Sequence, residues 1–259
     1  MNQPIVVFDS GFGGVTVLKE ALKQLPNEDF VFYGDNKNVP YGIKGQKKIR
    51  ELMDKVIEKI LPLNPKALVI ACNTATVSSA NYLRNKYDLP IIGIEPAIKP
   101  ALKDIPNDKR VLLLATETTS QSEKLTRLAL DVDTDNRLDI FPLQNLVNFA
   151  ENLQFSGVEV EEDITTLLSS YDFEKYESVV LGCTHFIWYQ EFFQKILPKH
   201  IKLVDGNEGT VRQLGRVIAG NKSSHRTQET KLYFSNGLTK EAKDFLKEQL
   251  RNEIEFIEL

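Results

Sequence analysis

The chain contains two cysteines, and their sequence surroundings are alike. Cys72 and Cys183 each follow an apolar run and a small residue, and each precedes an amide or hydroxyl residue. Both are expected to open a helix, where the helix dipole lowers a thiol pKa from about 8.5 toward neutrality. Such a thiol can act as an acid or as a base near neutral pH. The pair therefore predicts proton transfer in two directions.

Other roles for these cysteines stay open on this evidence. A free cysteine often packs as a small buried hydrophobic side chain. A metal site is disfavoured, because Cys183 and His185 form a C-x-H pair and no second cysteine or histidine pair completes it. We expect no metal and no disulfide, since a reducing cytosol keeps thiols reduced. The matching surroundings favour the catalytic interpretation.

Two more titratable residues lie beside these segments. His185 is two residues past Cys183, and its ordinary pKa of about 6.5 suits proton transfer; a structural histidine at a helix start is the alternative. Asp9 ends an apolar run, where a buried carboxylate is costly without a partner. We therefore expect a helix N-terminus or a functional group beside it. His200 and His225 stand in polar segments and are expected at the surface.

A glycine-rich loop follows the first apolar run. Gly11 and Gly13 match the start of a dinucleotide-binding G-x-G-x-x-G, but Thr16 stands where the third glycine belongs. Thr16 weakens this interpretation, but Asp35 lies near where a ribose-binding acid would stand, so the interpretation stays open. The glycine loop has two other interpretations. It can be a tight turn that needs glycine, or a helix N-terminus that presents N–H groups to a small anion.

The elements that must position these residues alternate between short apolar runs and longer helical patterns. This alternation predicts an α/β fold with mostly parallel sheets, and ligands bind such sheets at the carboxyl ends of the strands. Helices are predicted at Gln46–Leu61, near Glu208–Ile218 and near Thr239–Gln249, with a solvated helix start at Glu159–Asp163. The predicted strands are Ile5–Phe8, Phe30–Tyr33, Ala67–Ala71, Ile91–Ile94, Val111–Ala115, Leu138–Phe141, Ser178–Gly182, Ile201–Val204 and Lys231–Phe234.

The two halves of the chain resemble each other. Ile5–Ser10 resembles Val111–Thr116 at an offset of 106 residues, and Ala67–Cys72 resembles Ser178–Cys183 at an offset of 111. Two segments at nearly one offset suggest duplication of an α/β unit, with a linker near Glu95–Pro100. The predicted domains are 1–97 plus 206–259, which carries the first cysteine, and 98–205, which carries the second. A polar, exposed loop is expected at Asn221–Thr230.

Composition excludes several classes of protein. Of 259 residues, 42% are hydrophobic and 26% charged, which is ordinary for a globular protein. The net charge of −4 lacks the basic footprint of a nucleic-acid binder. No apolar run approaches the roughly 20 residues of a membrane span, and no signal peptide is evident after Met1. We expect a cytoplasmic protein.

Four motifs together resemble the glutamate racemases of the aspartate/glutamate racemase superfamily: Asp9–Gly14, Gly34–Asp35 with Val39–Gly42, Ala71–Ala75, and Gly182–Phe186. Their order and spacing match the family over nearly the whole chain. The resemblance implies a racemase that interconverts L- and D-glutamate without a cofactor. It also implies two pseudo-symmetric α/β domains with the active site between them. D-glutamate would supply bacterial peptidoglycan synthesis, and the family is often dimeric, so a homodimer is a possible assembly.

The resemblance also implies residue roles. Cys72 would act on the α-proton of the D-enantiomer and Cys183 on that of the L-enantiomer, assisted by Asp9 and His185 respectively. Glu151 is the match for a glutamate behind the second thiol, although its segment departs from the family pattern. The implied substrate-binding residues, none of them Arg or Lys, are Asp9, Ser10, Pro40, Tyr41, Gly42, Asn73, Thr74, Thr116, Thr119, Thr184 and His185.

Three alternatives compete with glutamate racemisation. The first is a racemase of the same superfamily that acts on another acid such as aspartate. The Pro40–Gly42 loop resembles the glutamate racemases more closely and so favours glutamate. A small-ligand binding protein would need no pair of opposed thiols. An NAD-dependent enzyme is disfavoured by Thr16 in the glycine loop.

Overall fold

The computed structural model describes residues 3–221, 228–251 and 253–258, and it contains two sheets of parallel strands flanked by helices. The strands are β1 (Ile5–Asp9), β2 (Phe30–Gly34), β3 (Ala67–Ile70), β4 (Ile91–Gly93), β5 (Arg110–Ala115), β6 (Leu138–Pro142), β7 (Tyr176–Leu181), β8 (Lys202–Val204), β9 (Thr230–Phe234) and β10 (Glu255–Phe256). The predicted α/β class with parallel sheets is confirmed.

Helices connect most of the strands. The α-helices are α1 (Val15–Gln24), α2 (Gln46–Ile60), α3 (Asn73–Lys86), α4 (Ile98–Leu102), α5 (Glu117–Ser120), α6 (Glu123–Val132), α7 (Asn145–Glu151), α8 (Val158–Leu168), α9 (Gln190–Ile196), α10 (Asn207–Val217) and α11 (Lys240–Leu250). Short 3-10 turns occur at Tyr41–Ile43, Leu61–Leu63, Phe173–Lys175, Thr184–Tyr189 and Ala219–Asn221. No helix in the described part of the chain is long and apolar enough to cross a membrane.

The two sheets repeat one strand order. The larger sheet runs β10-β9-β2-β1-β3-β4, and the smaller runs β6-β5-β7-β8. In the larger sheet Ile5 pairs with Ala67. In the smaller sheet Val111 pairs with Ser178, and these partners stand at the predicted offsets of 106 and 111 residues. Thus β1 and β3 of one sheet correspond to β5 and β7 of the other.

Both faces of each sheet are covered, which explains the nearly continuous apolar strands. In β1, Ile5 and Val7 pack into one core cluster while Val6 packs into another. In β5, Leu112 and Leu113 likewise face opposite clusters. The helix α2 contributes the apolar side chains that its period predicts, all buried: Ile49, Leu52, Met53, Val56, Ile57 and Ile60.

The boundaries of the predicted elements agree closely with the structure. Every predicted strand is present with its ends within two residues, whereas β10 was not predicted. The predicted linker at Glu95–Pro100 overlaps α4, and Glu159–Asp163 lies inside α8. His200 is exposed, as expected. His225 and residues 222–227 of the predicted loop lie outside the described residues.

Candidate active site

Cys72 lies where β3 passes into α3, and it is the N-cap residue of that helix. Its sulfur accepts a hydrogen bond from the backbone N–H of Ala75 at 3.4 Å, and its thiol donates to Ser10 Oγ at 3.5 Å. Burial and the nearby Asp9 carboxylate raise the pKa of Cys72 to about 12. The expected lowering of this pKa is therefore wrong: the helix N-terminus acts in the predicted direction, but burial outweighs it.

Cys183 lies at the corresponding position after β7 and is equally buried, at 6% exposure like Cys72. It precedes the 3-10 turn Thr184–Tyr189 rather than an α-helix, and its sulfur caps no backbone N–H there. Both cysteines thus open a helix, as expected, but the helix after the second is of the 3-10 type. The contact partner of Cys183 is a side chain, since its sulfur lies 3.7 Å from His185 Nδ1. Both cysteines are free.

His185 links this thiol to a carboxylate. Its Nε2 lies 2.5 Å from Glu151 Oε1, at the end of α7, and the same oxygen accepts a hydrogen bond from the backbone N–H of Phe12 at 3.0 Å. Burial opposes a charged imidazole, but the hydrogen bonds with Cys183 and Glu151 outweigh it and raise the pKa of His185 well above its usual value. The structure thus places Glu151 behind His185, on the side away from Cys183.

Asp9 is fully buried at the end of β1. Its carboxylate accepts hydrogen bonds from the backbone N–H of Gly11 at 3.1 Å and from Thr184 Oγ1 at 3.3 Å. Burial raises the pKa of Asp9. Among the described contacts it makes no hydrogen bond with Cys72, and it influences that thiol through charge.

The side chains of His185 and Glu151 pack directly against the backbone of the glycine loop. A Cβ placed on Gly11 would lie 1.8 Å from Glu151 Oε1, and one placed on Gly13 would lie 2.6 Å from His185 Nδ1. Thr16, at the missing third glycine, donates its hydroxyl to the carbonyl of Gly13 at 3.0 Å. Neither glycine adopts a positive φ, so the turn itself does not require glycine. These glycines instead let two side chains of the other half approach the backbone.

Three threonine hydroxyls join the two halves. Thr74 Oγ1 lies 2.8 Å from Thr116 Oγ1 and 3.3 Å from Thr119 Oγ1. In the opposite direction, Thr184 of the second half donates its hydroxyl to Asp9 of the first. The loop after each cysteine therefore contacts the end of the first strand of the other half. This exchange brings the thiols near each other, and a charge on Cys183 contributes to the raised pKa of Cys72.

The loop after β2 is held by a buried carboxylate. The Tyr41 hydroxyl donates to Asp35 Oδ2 at 2.7 Å, and Ser235 Oγ donates to the other oxygen at 2.8 Å. Asp35 therefore orients Tyr41, a role that sequence reasoning missed. Pro40, half-buried, caps the turn that contains Tyr41 and Gly42.

The structure brings most of the predicted site residues to one region. Contacts tie Asp9, Ser10, Cys72, Thr74, Thr116, Thr119, Glu151, Cys183, Thr184 and His185 together in this region. Asn73 is buried beside Cys72 at the start of α3. Two neighbours were missed. Thr118 donates its hydroxyl to the carbonyl of Gly42 at 2.6 Å, and Gln144 packs against the same glycine. The position of Thr118 between two predicted threonines was the available signal.

The comparisons with known proteins agree with this arrangement. Residues 11–214 match the family model described as Asp/Glu/hydantoin racemase. The chain belongs to this family. A glutamate racemase from Halothermothrix orenii is 41% identical over 251 residues, which cover 94% of this chain and 99% of that protein.

Solved structures show the same fold in this family. The crystal structure of a glutamate racemase isoform from Bacillus anthracis has a TM-score of 0.87 at 25% identity and covers 99% of this chain and 97% of its own. Glutamate racemase from Escherichia coli, in complex with L-glutamate and the activator UDP-MurNAc-ala, has a TM-score of 0.85 at 27% identity, with coverages of 98% and 97%.

Proposed function

We propose that this protein interconverts L- and D-glutamate by using Cys72 and Cys183 as a pair of acid–base groups. The observation that carries the proposal is the placement of two free, buried thiols at equivalent strand ends of two matching sheets. The glutamate racemases to which the chain is similar, one of them bound to L-glutamate, support the choice of substrate.

Racemisation removes the α-proton from one face of the substrate and returns a proton to the other. With L-glutamate, the Cys183 thiolate takes the α-proton and becomes a thiol. The Cys72 thiol then gives its proton to the opposite face of the planar, carbanion-like intermediate and becomes a thiolate, which yields D-glutamate. The reverse reaction exchanges these roles, so each turnover conserves one thiol and one thiolate.

The surroundings of the two sulfurs fit this division. The raised pKa of Cys72 keeps it a thiol at neutral pH, in the form of a proton donor. The raised pKa of His185 keeps its imidazole charged beside Cys183, where the positive charge stabilises a thiolate. In this form the protein is ready to accept L-glutamate.

Substrate carboxylates would be held without Arg or Lys from the motif loops. Hydroxyl and amide groups are the proposed ligands, together with backbone N–H groups at the loops. The proposed binding residues are Asp9, Ser10, Pro40, Tyr41, Gly42, Asn73, Thr74, Thr116, Thr119, Thr184 and His185.

The wider setting follows from the product. We propose that D-glutamate supplies bacterial peptidoglycan synthesis in the cytoplasm, a location that two unpaired thiols support. Residues 1–97 with 206–259, and residues 98–205, are the proposed domains on either side of the site. The division of the strands between two sheets supports this boundary.

The direct test is to incubate the purified protein with L-glutamate and, separately, with L-aspartate, and to follow circular dichroism over time. We expect the glutamate signal to decay to zero and the aspartate signal to persist. Decay with aspartate alone would favour the alternative acid racemase. Persistence of both signals would contradict racemisation of either acid.

A further inference from the structure

Gln144 carries a buried side-chain amide without a partner. Its Oε1 and Nε2 atoms are both inaccessible to solvent, and neither has a hydrogen-bond partner in the described part of the chain. A buried polar group without a hydrogen-bond partner destabilises the fold, because it has lost its bonds to water. Such groups call for an explanation, and a ligand that completes the hydrogen bonds is one.

The amide lies against two residues of the proposed binding site. A Cβ placed on Gly42 would come within 2.2 Å of Gln144 Oε1 and 2.9 Å of Thr116 Cβ. Glycine at position 42 therefore lets the amide approach the loop after β2. Gln144 itself follows β6, the strand that corresponds to β2 in the repeated sheet order.

This placement decides which part of the substrate would reach the amide. Neighbouring strands are about 4.8 Å apart, and β2 and β6 each stand two strands from the cysteine-bearing β3 and β7. The substrate Cα must lie between the thiols. The side-chain carboxyl carbon of glutamate lies about 4 Å from Cα, over three bonds of about 1.5 Å. This length is short of one strand spacing, so the carboxylate reaches toward the ends of β1 and β5. Thr116 follows β5 there, and it lies beside Gly42 together with the Gln144 amide.

We propose that Gln144 binds the side-chain carboxylate of glutamate by donating from its amide nitrogen, and so selects the longer acidic substrate. This inference rests on the proposed racemase function. A neutral amide suits the position because the motif loops supply no Arg or Lys, and a hydrogen bond to a carboxylate is stronger than one between neutral groups. Aspartate, shorter by one methylene, would leave the amide unpaired.

The test compares steady-state racemisation by the wild type, Gln144→Met, Gln144→Glu and the control Gln213→Met. Gln213 lies on the exposed face of α10, so Gln213→Met replaces the same side chain outside the proposed site. Gln144→Met should raise KM for both enantiomers about ten- to a hundredfold with a smaller change in kcat. Gln144→Glu should raise KM further, because it sets a carboxylate against a carboxylate. Gln213→Met should match the wild type.

The outcomes separate the two proposals. An inactive wild type contradicts the racemase function itself. An active wild type with KM within threefold for both Gln144 variants overturns the assignment of Gln144, as does a fall in kcat at unchanged KM. Thermal unfolding is measured alongside: a variant with a native Tm and a raised KM supports binding. If Gln144→Met unfolds, a KM in Gln144→Glu equal to that of the wild type still contradicts the proposal.

Discussion

The two cysteine regions share a fold position but differ in chemistry. Cys72 and Cys183 follow equivalent strands and are equally buried. The first sulfur meets a backbone N–H and the Ser10 hydroxyl, with a carboxylate nearby. The second meets an imidazole that is bound to Glu151. Repetition of the backbone therefore places the two groups symmetrically, while their neighbours differ: a carboxylate lies near the first sulfur and an imidazole contacts the second.

The charged groups beside the two thiols differ in sign. On the first side, burial and negative charge hold the proton on sulfur. On the second side, the imidazole supplies a positive charge whose own protonation is favoured by Glu151. The two sides therefore differ in the groups that surround each sulfur and not in the sulfurs themselves.

The largest expected effect comes from removing either thiol. Cys72→Ala and Cys183→Ala should each lower racemisation in both directions by about a thousandfold or more, because each direction needs both a proton acceptor and a proton donor. Circular dichroism with each enantiomer measures this. Two-way turnover near the wild-type rate in either variant would contradict the two-thiol scheme.

A smaller effect is expected from crowding the second side only. Gly11→Ala would force its Cβ against Glu151 and displace the carboxylate from His185. We expect kcat to fall about ten- to a hundredfold while the protein stays folded. Gly45→Ala is the matched control, because nothing lies within 4 Å of its added Cβ and its φ of −66° suits alanine. Equal kcat values for these two variants would show that the space beside Gly11 is not needed for catalysis.

The smallest expected effect concerns the first side. In Cys183→Ala, Cys72 is the remaining cysteine, so the pH dependence of alkylation reports its pKa. The midpoint should lie well above the ordinary thiol value of about 8.5, toward about 12. Adding Asp9→Asn should lower this midpoint, because it removes a negative charge that opposes ionisation. A midpoint near 8.5 without the second change would contradict the assignment of Cys72 as a thiol.

Much of this arrangement was predictable from sequence. Apolar runs ending in small or polar residues located the strands, and the offsets between Cys72 and Cys183 and between β1 and β5 anticipated the repeated sheet. The pKa of Cys72 was not predictable, since it depends on burial that only the packed fold supplies. Gln144 was missed for a similar reason: it stands between β6 and α7, and its unpartnered amide is visible only in three dimensions.

The most direct measurement of the central claim is deuterium exchange at the substrate Cα in the single-cysteine variants. In deuterated water, Cys72→Ala retains the thiol assigned to the L-enantiomer, so recovered L-glutamate should gain deuterium without inversion while D-glutamate does not. Cys183→Ala should show the reverse. Exchange of both enantiomers by one variant, or exchange with the opposite pairing, would contradict the assignment of one thiol to each face.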